Sequence, residues 1–149
     1  MRALIQRVNH ASVTIEGNKI SEIDKGLLIF LGVGEKDSKV ELEKIWNKIS
    51  KMRIFEDNSG KTNLSAKDIA GLNVLVVSQF TLYASMKKGN RPSFTPAAKP
   101  EQAKALYEQF IELASQDFPN VKTGEFGAYM QVELENDGPF TLWLDTDEL

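Results

Sequence analysis

Apolar and polar residues alternate along the start of the chain. In a β-strand, this alternation places the apolar side chains on one face, which can be buried, and the polar side chains on the other. The alternation covers residues 3–8 and then 11–15, so we predict strands there. A hairpin turn is expected to follow, with Gly17 and Asn18 able to adopt positive φ. Beyond the return strand, residues 27–33 are apolar enough to form a central strand.

Two later segments have the spacing of amphipathic helices. Ser38 and Glu41 form a capping-box pattern, which predicts a helix that begins at this point. Its apolar positions recur at intervals of three and four residues, and they are Leu42, Ile45, Trp46 and Ile49. A second helix is expected to begin with Pro100 in its first turn. Its predicted buried face consists of Ala103, Leu106, Tyr107, Phe110 and Leu113.

The remaining elements complete a mixed pattern of strands and helices. Residues 72–77 are strongly apolar and predict a strand, and a polar loop with prolines follows over 84–100. Two more strands are expected at about 126–135 and 140–144, separated by a turn. We therefore predict a single α+β domain over residues 1–149. Its architecture is expected to be a mainly antiparallel curved sheet, or partial β-barrel, with two packed helices.

The residue types exclude several classes of chemistry. The chain has no cysteine, which excludes disulfides, thiolate nucleophiles and cysteine-ligated zinc and suits a reducing cytoplasm. His10 is the only histidine, so a protein-bound metal is not expected. The longest apolar run is far shorter than the about 20 residues that a membrane-spanning helix needs. We expect a cytoplasmic protein with no metal, no other cofactor and no membrane partner.

Charge is distributed unevenly along the chain. The net charge is −3, which argues mildly against a nucleic-acid partner. Residues 69–100, however, contain no acidic side chain, and the basic residues that concern us there are Lys87, Lys88, Arg91 and Lys99. These side chains are either ordinary solvated residues of a loop or a basic face for a phosphate backbone. The charge pattern alone favours the ordinary loop.

No familiar catalytic machinery is evident. A serine or threonine nucleophile normally needs a neighbouring base, often histidine, and His10 is expected at the surface. Residues 78–81 stand out because they place Ser78 and Thr81 at the end of a fully apolar strand. This segment is either a plain strand end with Thr81 in the sheet, or a tip whose backbone N–H groups form an oxyanion hole.

A second unusual segment is the dipeptide Gly138-Pro139 between two predicted strands. Proline cannot donate to the hydrogen-bond ladder of a sheet, so these residues alone predict a plain turn. Only about 5–6% of X–Pro bonds in folded proteins are cis. Local reasoning therefore predicts a trans bond before Pro139.

Several motifs occur together in one order. They are Gln6-Arg7-Val8, Ser78-Gln79-Phe80-Thr81-Leu82, Gly89-Asn90-Arg91-Pro92-Ser93-Phe94, Met130-Gln131-Val132 and Asn136-Asp137-Gly138-Pro139. In this combination the chain closely resembles the D-aminoacyl-tRNA deacylase family, of the D-Tyr-tRNA deacylase type, over essentially its whole length. One departure is Tyr83, which stands where many members carry alanine.

The resemblance implies a homodimer with a shared active-site region. In the family, the Ser-Gln-Phe-Thr segment of one subunit faces a cis Gly-Pro dipeptide of the other. Here this implies a cis bond between Gly138 and Pro139, held with the help of Arg7. Phe126 and Met130 are expected to line the pocket. The implied catalytic residues are Ser78, Gln79, Phe80 and Thr81.

The implied activity is hydrolysis of the ester that joins a D-amino acid to tRNA. Backbone N–H groups around Phe80 and Thr81 are expected to stabilise the oxyanion. The attack is activated either by Thr81 as a nucleophile, for which no base is evident, or by the vicinal ribose hydroxyl, which we favour. Rigid carbonyls of the Gly-Pro unit are expected to reject L-amino acids and admit glycine. Glycyl-tRNA mischarged on tRNA-Ala is therefore an expected second substrate.

In this scheme the basic loop contacts phosphates of the tRNA acceptor stem without reading bases. The residues concerned are Lys87, Lys88, Arg91 and Lys99. The expected partners are D-aminoacyl-tRNA and a second copy of the chain, and no DNA. Three alternatives stay open: a tRNA-binding module without catalysis, an esterase for small D-amino acid esters, and a structural dimer without a ligand.

Overall fold

A computed structural model describes all 149 residues, which form eight strands, two helices and three short 3₁₀ turns. The strands are β1 (Arg2–Ile15), β2 (Asn18–Ile23), β3 (Gly26–Gly32), β4 (Arg53–Glu56), β5 (Thr62–Ser65), β6 (Asn73–Ser78), β7 (Asn120–Thr123) and β8 (Gln131–Asp145). The helices are α1 (Lys39–Ser50) and α2 (Pro100–Asp117). The 3₁₀ turns are Ala66–Asp68, Phe80–Tyr83 and Thr146–Glu148.

Strand β1 is the centre of the sheet, because both of its edges are paired along most of its length. One edge pairs antiparallel with β8, and the other pairs antiparallel first with β3 and then with β2. Strands β6 and β7 extend the sheet from β3 in parallel. Segments containing α1 and α2 provide the crossovers that parallel neighbours require. The α+β fold with a curved, largely antiparallel sheet and two packed helices is confirmed.

The two faces of the sheet bury different clusters of side chains. Alternation along β3 shows the division, since Leu27 and Ile29 join the cluster under the helices, while Leu28 joins a smaller cluster on the opposite face. The larger cluster contains 22 buried residues and the smaller one seven. Full burial of each large aliphatic side chain contributes about 1.5–3 kcal/mol. Most of the apolar burial therefore lies where the helices meet the sheet.

Helix α1 begins where the capping box predicts. Oγ of Ser38 accepts a hydrogen bond from Val40 N at 3.2 Å, and the carboxylate of Glu41 accepts one from Ser38 N at 2.8 Å. Hydrogen bonds from Ser38, the side-chain bond most of all, lower the pKa of Glu41. All four predicted apolar residues of this helix are buried, so its prediction is confirmed.

Helix α2 begins at Pro100, as predicted, and buries four of the five residues expected on its inner face. The exception is Leu113, which is only half-buried, while Ala114 is fully buried. The prediction for Leu113 is wrong because a step of four residues from Phe110 stays on the stripe that faces the sheet. Neither α1 nor α2 combines the length and apolar character needed to cross a membrane.

The β1–β2 hairpin turn lies one residue earlier than predicted. Positive φ occurs at Glu16 (49°) and Gly17 (81°). Asn18 instead begins β2 and pairs with Ile15, so the expected positive φ at Asn18 is wrong. A two-residue hairpin turn takes positive φ at its two middle residues, and strand register decides which residues these are.

Strand β8 is continuous, which corrects the prediction of two strands joined by a turn. It pairs with β1 on both sides of residues 137–140, through Val8 with Asn136 and Gln6 with Thr141. Proline interrupts the ladder only locally, and pairing on both sides keeps one strand. The strand also begins later than predicted, because residues 126–130 form a loop.

Candidate active site

The predicted strand tip leaves the sheet at Ser78. Strand β6 ends there, and Gln79 N donates a 2.7 Å hydrogen bond to the carbonyl oxygen of Leu31 at the end of β3. The chain then turns through the 3₁₀ segment Phe80–Tyr83, so the alternative that placed Thr81 in the sheet is wrong. Gly32 permits this close approach, because a Cβ there would lie only 3.0 Å from the Gln79 carbonyl oxygen.

The turn presents backbone donors at its start. Leu82 N donates to the carbonyl oxygen of Gln79 at 3.3 Å, and Ala84 N donates to that of Thr81 at 3.0 Å. The first amides of a helical turn have no acceptor inside it. The N–H groups of Phe80 and Thr81, the first two of this turn, therefore have no acceptor inside it.

Thr81 has an exposed side chain, and its hydroxyl accepts a 2.5 Å hydrogen bond from Nε2 of Gln79. No imidazole or carboxylate forms a hydrogen bond with this hydroxyl. His10 lies on β1, with its ring nitrogens 4.0 Å from the carboxylates of Glu133 and Glu135 on β8. A nucleophilic hydroxyl needs an adjacent base, and Thr81 has none.

A cavity of about 660 Å³ opens beside this turn, and most of its lining is apolar. Five of the predicted site residues line it, and they are Ser78, Gln79, Phe80, Phe126 and Met130. Thr81 is not among the lining residues. The structure thus brings the end of β6 together with the loop before β8, although about 50 residues separate them in the chain.

Three aromatic residues of the cavity were not among the predicted site residues. Phe94 packs edge-to-face on Phe80, with ring centres 4.9 Å apart. Tyr107 donates a 2.9 Å hydrogen bond to the carbonyl oxygen of Val76, and burial raises the pKa of its phenol to about 12. Tyr129 is 99% exposed at the cavity. Tyr107 carried a sequence signal as a residue of the buried face of α2, and Phe94 ends one of the motifs of the resemblance, whereas Tyr129 carried no signal.

The Gly138-Pro139 dipeptide lies in the bulge of β8 at residues 137–140, and its peptide bond is cis. The local prediction of a trans turn is wrong on both points. The residues next to the dipeptide in the sequence do not indicate which strand pairs with this segment. In the structure, β1 pairs with β8 on both sides of the dipeptide.

Arg7 is the one residue of β1 opposite this bulge, and its side chain reaches both ends of it. Its Nε lies 2.8 Å from Oδ2 of Asp137, and its guanidinium carbon lies 4.4 Å from the ring centre of Phe140. The same guanidinium donates a 2.5 Å hydrogen bond to the carbonyl oxygen of Ile54. Nδ2 of Asn136 adds bonds of 3.0 Å to the carbonyl oxygens of Arg7 and Phe140. The two ends of the bulge are therefore held to β1, while Gly138 and Pro139 themselves are exposed.

Within one chain, the dipeptide and the 80–83 turn do not share a cavity. Neither Gly138 nor Pro139 lines the cavity beside the turn. Arg7 and Asp137 instead border a second cavity of about 530 Å³. A single copy of the chain thus separates the two elements that the resemblance expects to face each other.

The four predicted tRNA-binding residues are all exposed. Ser85 and Ser93 exchange backbone hydrogen bonds of 2.8 and 3.0 Å, so the segment between them projects as a narrow tip. This tip carries Lys87, Lys88 and Arg91, and Lys99 precedes α2. None of the four forms an ion pair with an acidic side chain. No group of three or more histidine, cysteine or acidic residues is placed to hold a metal ion.

Comparison with known proteins adds a consistent set of relatives. The family model described as D-Tyr-tRNA(Tyr) deacylase matches residues 4–145. A D-aminoacyl-tRNA deacylase of Thermosipho melanesiensis is 53% identical, over 100% of this chain and 99% of that protein. A D-aminoacyl-tRNA deacylase of Lactobacillus helveticus is 55% identical, over 97% of this chain and 99% of that protein.

Two solved structures share the fold. One is titled c-Myc DNA Unwinding Element Binding Protein, with a TM-score of 0.91 and 44% identity, and the match covers 97% of this chain and 98% of that one. The other is a probable eukaryotic D-amino acid tRNA deacylase, with a TM-score of 0.79 and coverage of 96% and 97%. At 17% identity, this second likeness shows the fold alone.

Proposed function

Since the chain belongs to the D-Tyr-tRNA(Tyr) deacylase family, we propose that it cleaves D-aminoacyl-tRNA in the cavity beside the 80–83 turn. The protein is a D-aminoacyl-tRNA deacylase, a hydrolase acting on ester bonds. The observation that supports this location is the pair of N–H groups, of Phe80 and Thr81, at the edge of an apolar cavity. Each such donor typically accelerates acyl transfer by about 10²–10³ when it meets the oxyanion.

The reaction needs no protein nucleophile. Water adds to the ester carbonyl, and the resulting oxyanion receives hydrogen bonds from the two amides. The vicinal hydroxyl of the terminal ribose assists the attack, and the ester oxygen leaves with a proton to give tRNA and the free amino acid. Thr81 fits a positioning role in this scheme, because its hydroxyl is bound by Gln79 and has no base beside it.

The active unit is a homodimer in which Gly138 and Pro139 of one copy face the turn of the other. Two observations support it. The dipeptide does not line the cavity of its own chain, and β8 pairs only with β1, so its outer edge is open over 15 residues. A long open edge strand invites pairing with another chain. Five apolar residues of β8 that pack against the two clusters of the sheet are only half-buried, and they are Val132, Leu134, Phe140, Leu142 and Leu144.

The dipeptide supplies stereochemical choice. Its carbonyl groups, held rigidly through Arg7, crowd the position that the side chain of an L-amino acid occupies. A D-amino acid points its side chain away from them, and glycine has none. The enzyme therefore rejects L-aminoacyl esters by exclusion and removes glycine from mischarged tRNA-Ala.

The basic tip at residues 86–92 docks the tRNA. Lys87, Lys88 and Arg91 project there without acidic partners, and Lys99 lies at the start of α2. Contacts of these cations with acceptor-stem phosphates orient the substrate but carry no base specificity. We expect an enzyme that hydrolyses D-aminoacyl-tRNA to act in the cytoplasm.

A second candidate is nucleic-acid binding without hydrolysis. The 44% identical structure is named for binding a DNA unwinding element, and the exposed basic tip fits any phosphate backbone. This candidate predicts that RNA or DNA is bound while the ester of D-aminoacyl-tRNA stays intact.

One experiment separates these functions. The purified protein is incubated with D-tyrosyl-, L-tyrosyl- and glycyl-tRNA and with the ethyl ester of D-tyrosine, and ester loss is followed over time. We expect rapid loss from D-tyrosyl- and glycyl-tRNA and little from L-tyrosyl-tRNA or the free ester. Equal hydrolysis of the L-form contradicts the stereochemical scheme, and no hydrolysis of any tRNA ester contradicts the enzymatic one.

A further inference from the structure

We propose that Arg2 and Tyr83 are positioning residues that clamp the 80–83 turn and thereby aim its two N–H groups at the reacting ester. The inference rests on the proposed function, because it concerns the same turn. It gives a role to Tyr83, which the reaction scheme leaves unused.

Arg2 holds the turn from the first strand. Its NH1 donates a 3.0 Å hydrogen bond to the carbonyl oxygen of Leu82, and its Nε donates one of 2.7 Å to Oδ2 of Asp145. Asp145 is the last residue of β8 and is buried. The fork of the guanidinium thus connects the turn to the end of β8 in a fixed geometry, which a lysine ammonium does not reproduce.

Tyr83 fixes the end of the turn through its ring and its hydroxyl. Its ring lies under Arg2, with the guanidinium carbon 4.4 Å from the ring centre, and its hydroxyl lies 3.2 Å from Oδ2 of Asp37 as a hydrogen-bond donor. Burial raises the pKa of the phenol still further above neutral pH, and the protonated hydroxyl is the donor in this bond. Gly34 leaves room for this ring, since a Cβ there would lie 2.6 Å from the Tyr83 oxygen.

Asp37, which accepts the hydrogen bond from Tyr83, is itself held by two other donors. Oδ2 of Asp37 also accepts a 2.6 Å hydrogen bond from Gly34 N, and Oδ1 lies 2.6 Å from the amino group of Met1. The Asp37 side chain is only 8% exposed. Arg2 and Tyr83 therefore tie the turn to three separate parts of the fold, which are β1, the end of β8 and the segment before α1.

The contacts of Arg2 and Tyr83 act on the N–H donors of Phe80 and Thr81 through the short backbone of the turn. Leu82, whose carbonyl Arg2 binds, follows Phe80 and Thr81 directly, and its own N–H closes the turn on Gln79. A short turn moves as a unit, so release of Leu82 and Tyr83 displaces the amides of Phe80 and Thr81. Displacement of a catalytic donor by 1 Å costs up to about 10²-fold in rate.

The test uses Arg2→Lys and Tyr83→Phe, with Arg53→Lys as the matched control. Arg53 also donates to a backbone carbonyl oxygen, that of Asn63 at 2.7 Å, but it lies outside the 80–83 turn and does not line the cavity beside it. We measure kcat and KM for D-tyrosyl-tRNA, Tm, and amide hydrogen exchange of residues 80–84. Arg2→Lys is expected to lower kcat about tenfold with KM changed less than about twofold, and to speed exchange of these amides.

Tyr83→Phe keeps the ring under Arg2 and loses only the hydroxyl, so a smaller fall in kcat, about threefold, is expected. Arg53→Lys is expected to leave kcat unchanged whatever it does to Tm. The proposal is overturned if Arg2→Lys changes only Tm, or if its kcat equals that of Arg53→Lys.

Failure of the proposed function gives a different result. If the unaltered protein does not hydrolyse D-tyrosyl-tRNA, the function is wrong, while exchange at residues 80–84 still reports the clamp. Unchanged exchange in Arg2→Lys, together with unchanged kcat, shows that the turn is held without Arg2.

Discussion

Nε of Arg7 lies 2.8 Å from Oδ2 of Asp137, the residue that directly precedes the Gly138-Pro139 dipeptide. The guanidinium carbon of the same side chain lies 4.4 Å from the ring centre of Phe140, which directly follows the dipeptide. The guanidinium of Arg7, on the central strand β1, thus contacts the residues at both ends of the bulge in β8. Its own side chain is buried, so the contact is held in one geometry.

Replacement of this residue tests the role of the bulge in stereochemical choice. Arg7→Lys keeps the positive charge but loses the planar fork and the hydrogen bond to Ile54, so the dipeptide becomes less rigid. We expect kcat/KM for D-tyrosyl-tRNA to fall about tenfold and the ratio of D- to L-tyrosyl-tRNA hydrolysis to fall with it. Arg53→Lys serves as control. A variant that keeps the full D-to-L ratio contradicts a role for Arg7 in chiral selection.

Removal of the Thr81 hydroxyl tests the nucleophile. Because no base contacts this hydroxyl and only Gln79 is bonded to it, Thr81→Ala is expected to retain kcat within about threefold. A substrate whose terminal adenosine lacks the vicinal hydroxyl is expected to react at least about 10²-fold more slowly with the unaltered enzyme. Single-turnover measurements with both substrates decide the matter. A collapse of Thr81→Ala to background would assign the nucleophile to Thr81 after all.

Charge reversal on the basic tip tests tRNA docking. The double variant Lys87→Glu/Lys88→Glu is expected to raise KM for D-tyrosyl-tRNA and to reduce the slope of log K against log salt by about two, since two phosphate contacts are lost. Lys39→Glu/Lys104→Glu makes the same change in net charge on the two helices. If both double variants weaken binding equally, the effect is one of overall charge and the tip has no specific role.

Asp57 provides a test of stability against pH. Its carboxylate accepts hydrogen bonds from Ser59 through both hydroxyl and backbone N–H, and further ones from Lys61 N and the Asn63 side chain. These bonds, led by that of the Ser59 side chain, lower the pKa of Asp57 from 3.8 to about 2. A carboxylate with a lowered pKa in the folded state stabilises that state above its unfolded pKa.

The stabilising effect is therefore present at pH 7 and is lost as the pH falls from about 4 towards about 2. We expect Asp57→Asn to have a lower Tm than the unaltered protein at pH 7, and the difference to shrink over this range. Calorimetry at a series of pH values measures it, with Asp24→Asn as a control at an exposed carboxylate outside any hydrogen bond. A difference in Tm that is constant from pH 7 to pH 2 would contradict the assignment.

Several elements of the fold were predictable because their signals are local. The capping box at Ser38 and the stripe that contains Trp46 specify α1 within a dozen residues. The alternation over residues 3–8 likewise specifies β1, in which Ala3 and Ile5 are buried and Gln6 is half-buried. Periodicity of this kind follows from the geometry of a helix or strand itself. It can therefore be recognised in the sequence before the packing partner of the element is known.

The candidate site was only partly predictable. Residues 78–80 stand out as polar and bulky residues after an apolar strand, and they do line the cavity. Phe94 was marked only by the motif that it ends, and Tyr129 by nothing, because an aromatic residue in a polar loop has no periodicity that predicts its position. The clamp on the turn was hidden for a related reason, since Arg2 and Leu82 are 80 residues apart.

What the sequence determined by itself is the set of elements: where strands alternate, where a helix can start, and which chemistry the lack of cysteine excludes. What only the tertiary structure decided is how distant segments meet. Residues 137–140 became a bulge, and not a turn between two strands, because β1 pairs with β8 on both sides of them. Local preferences act over a few residues, whereas pairing between Gln6 and Thr141 depends on packing of the whole sheet.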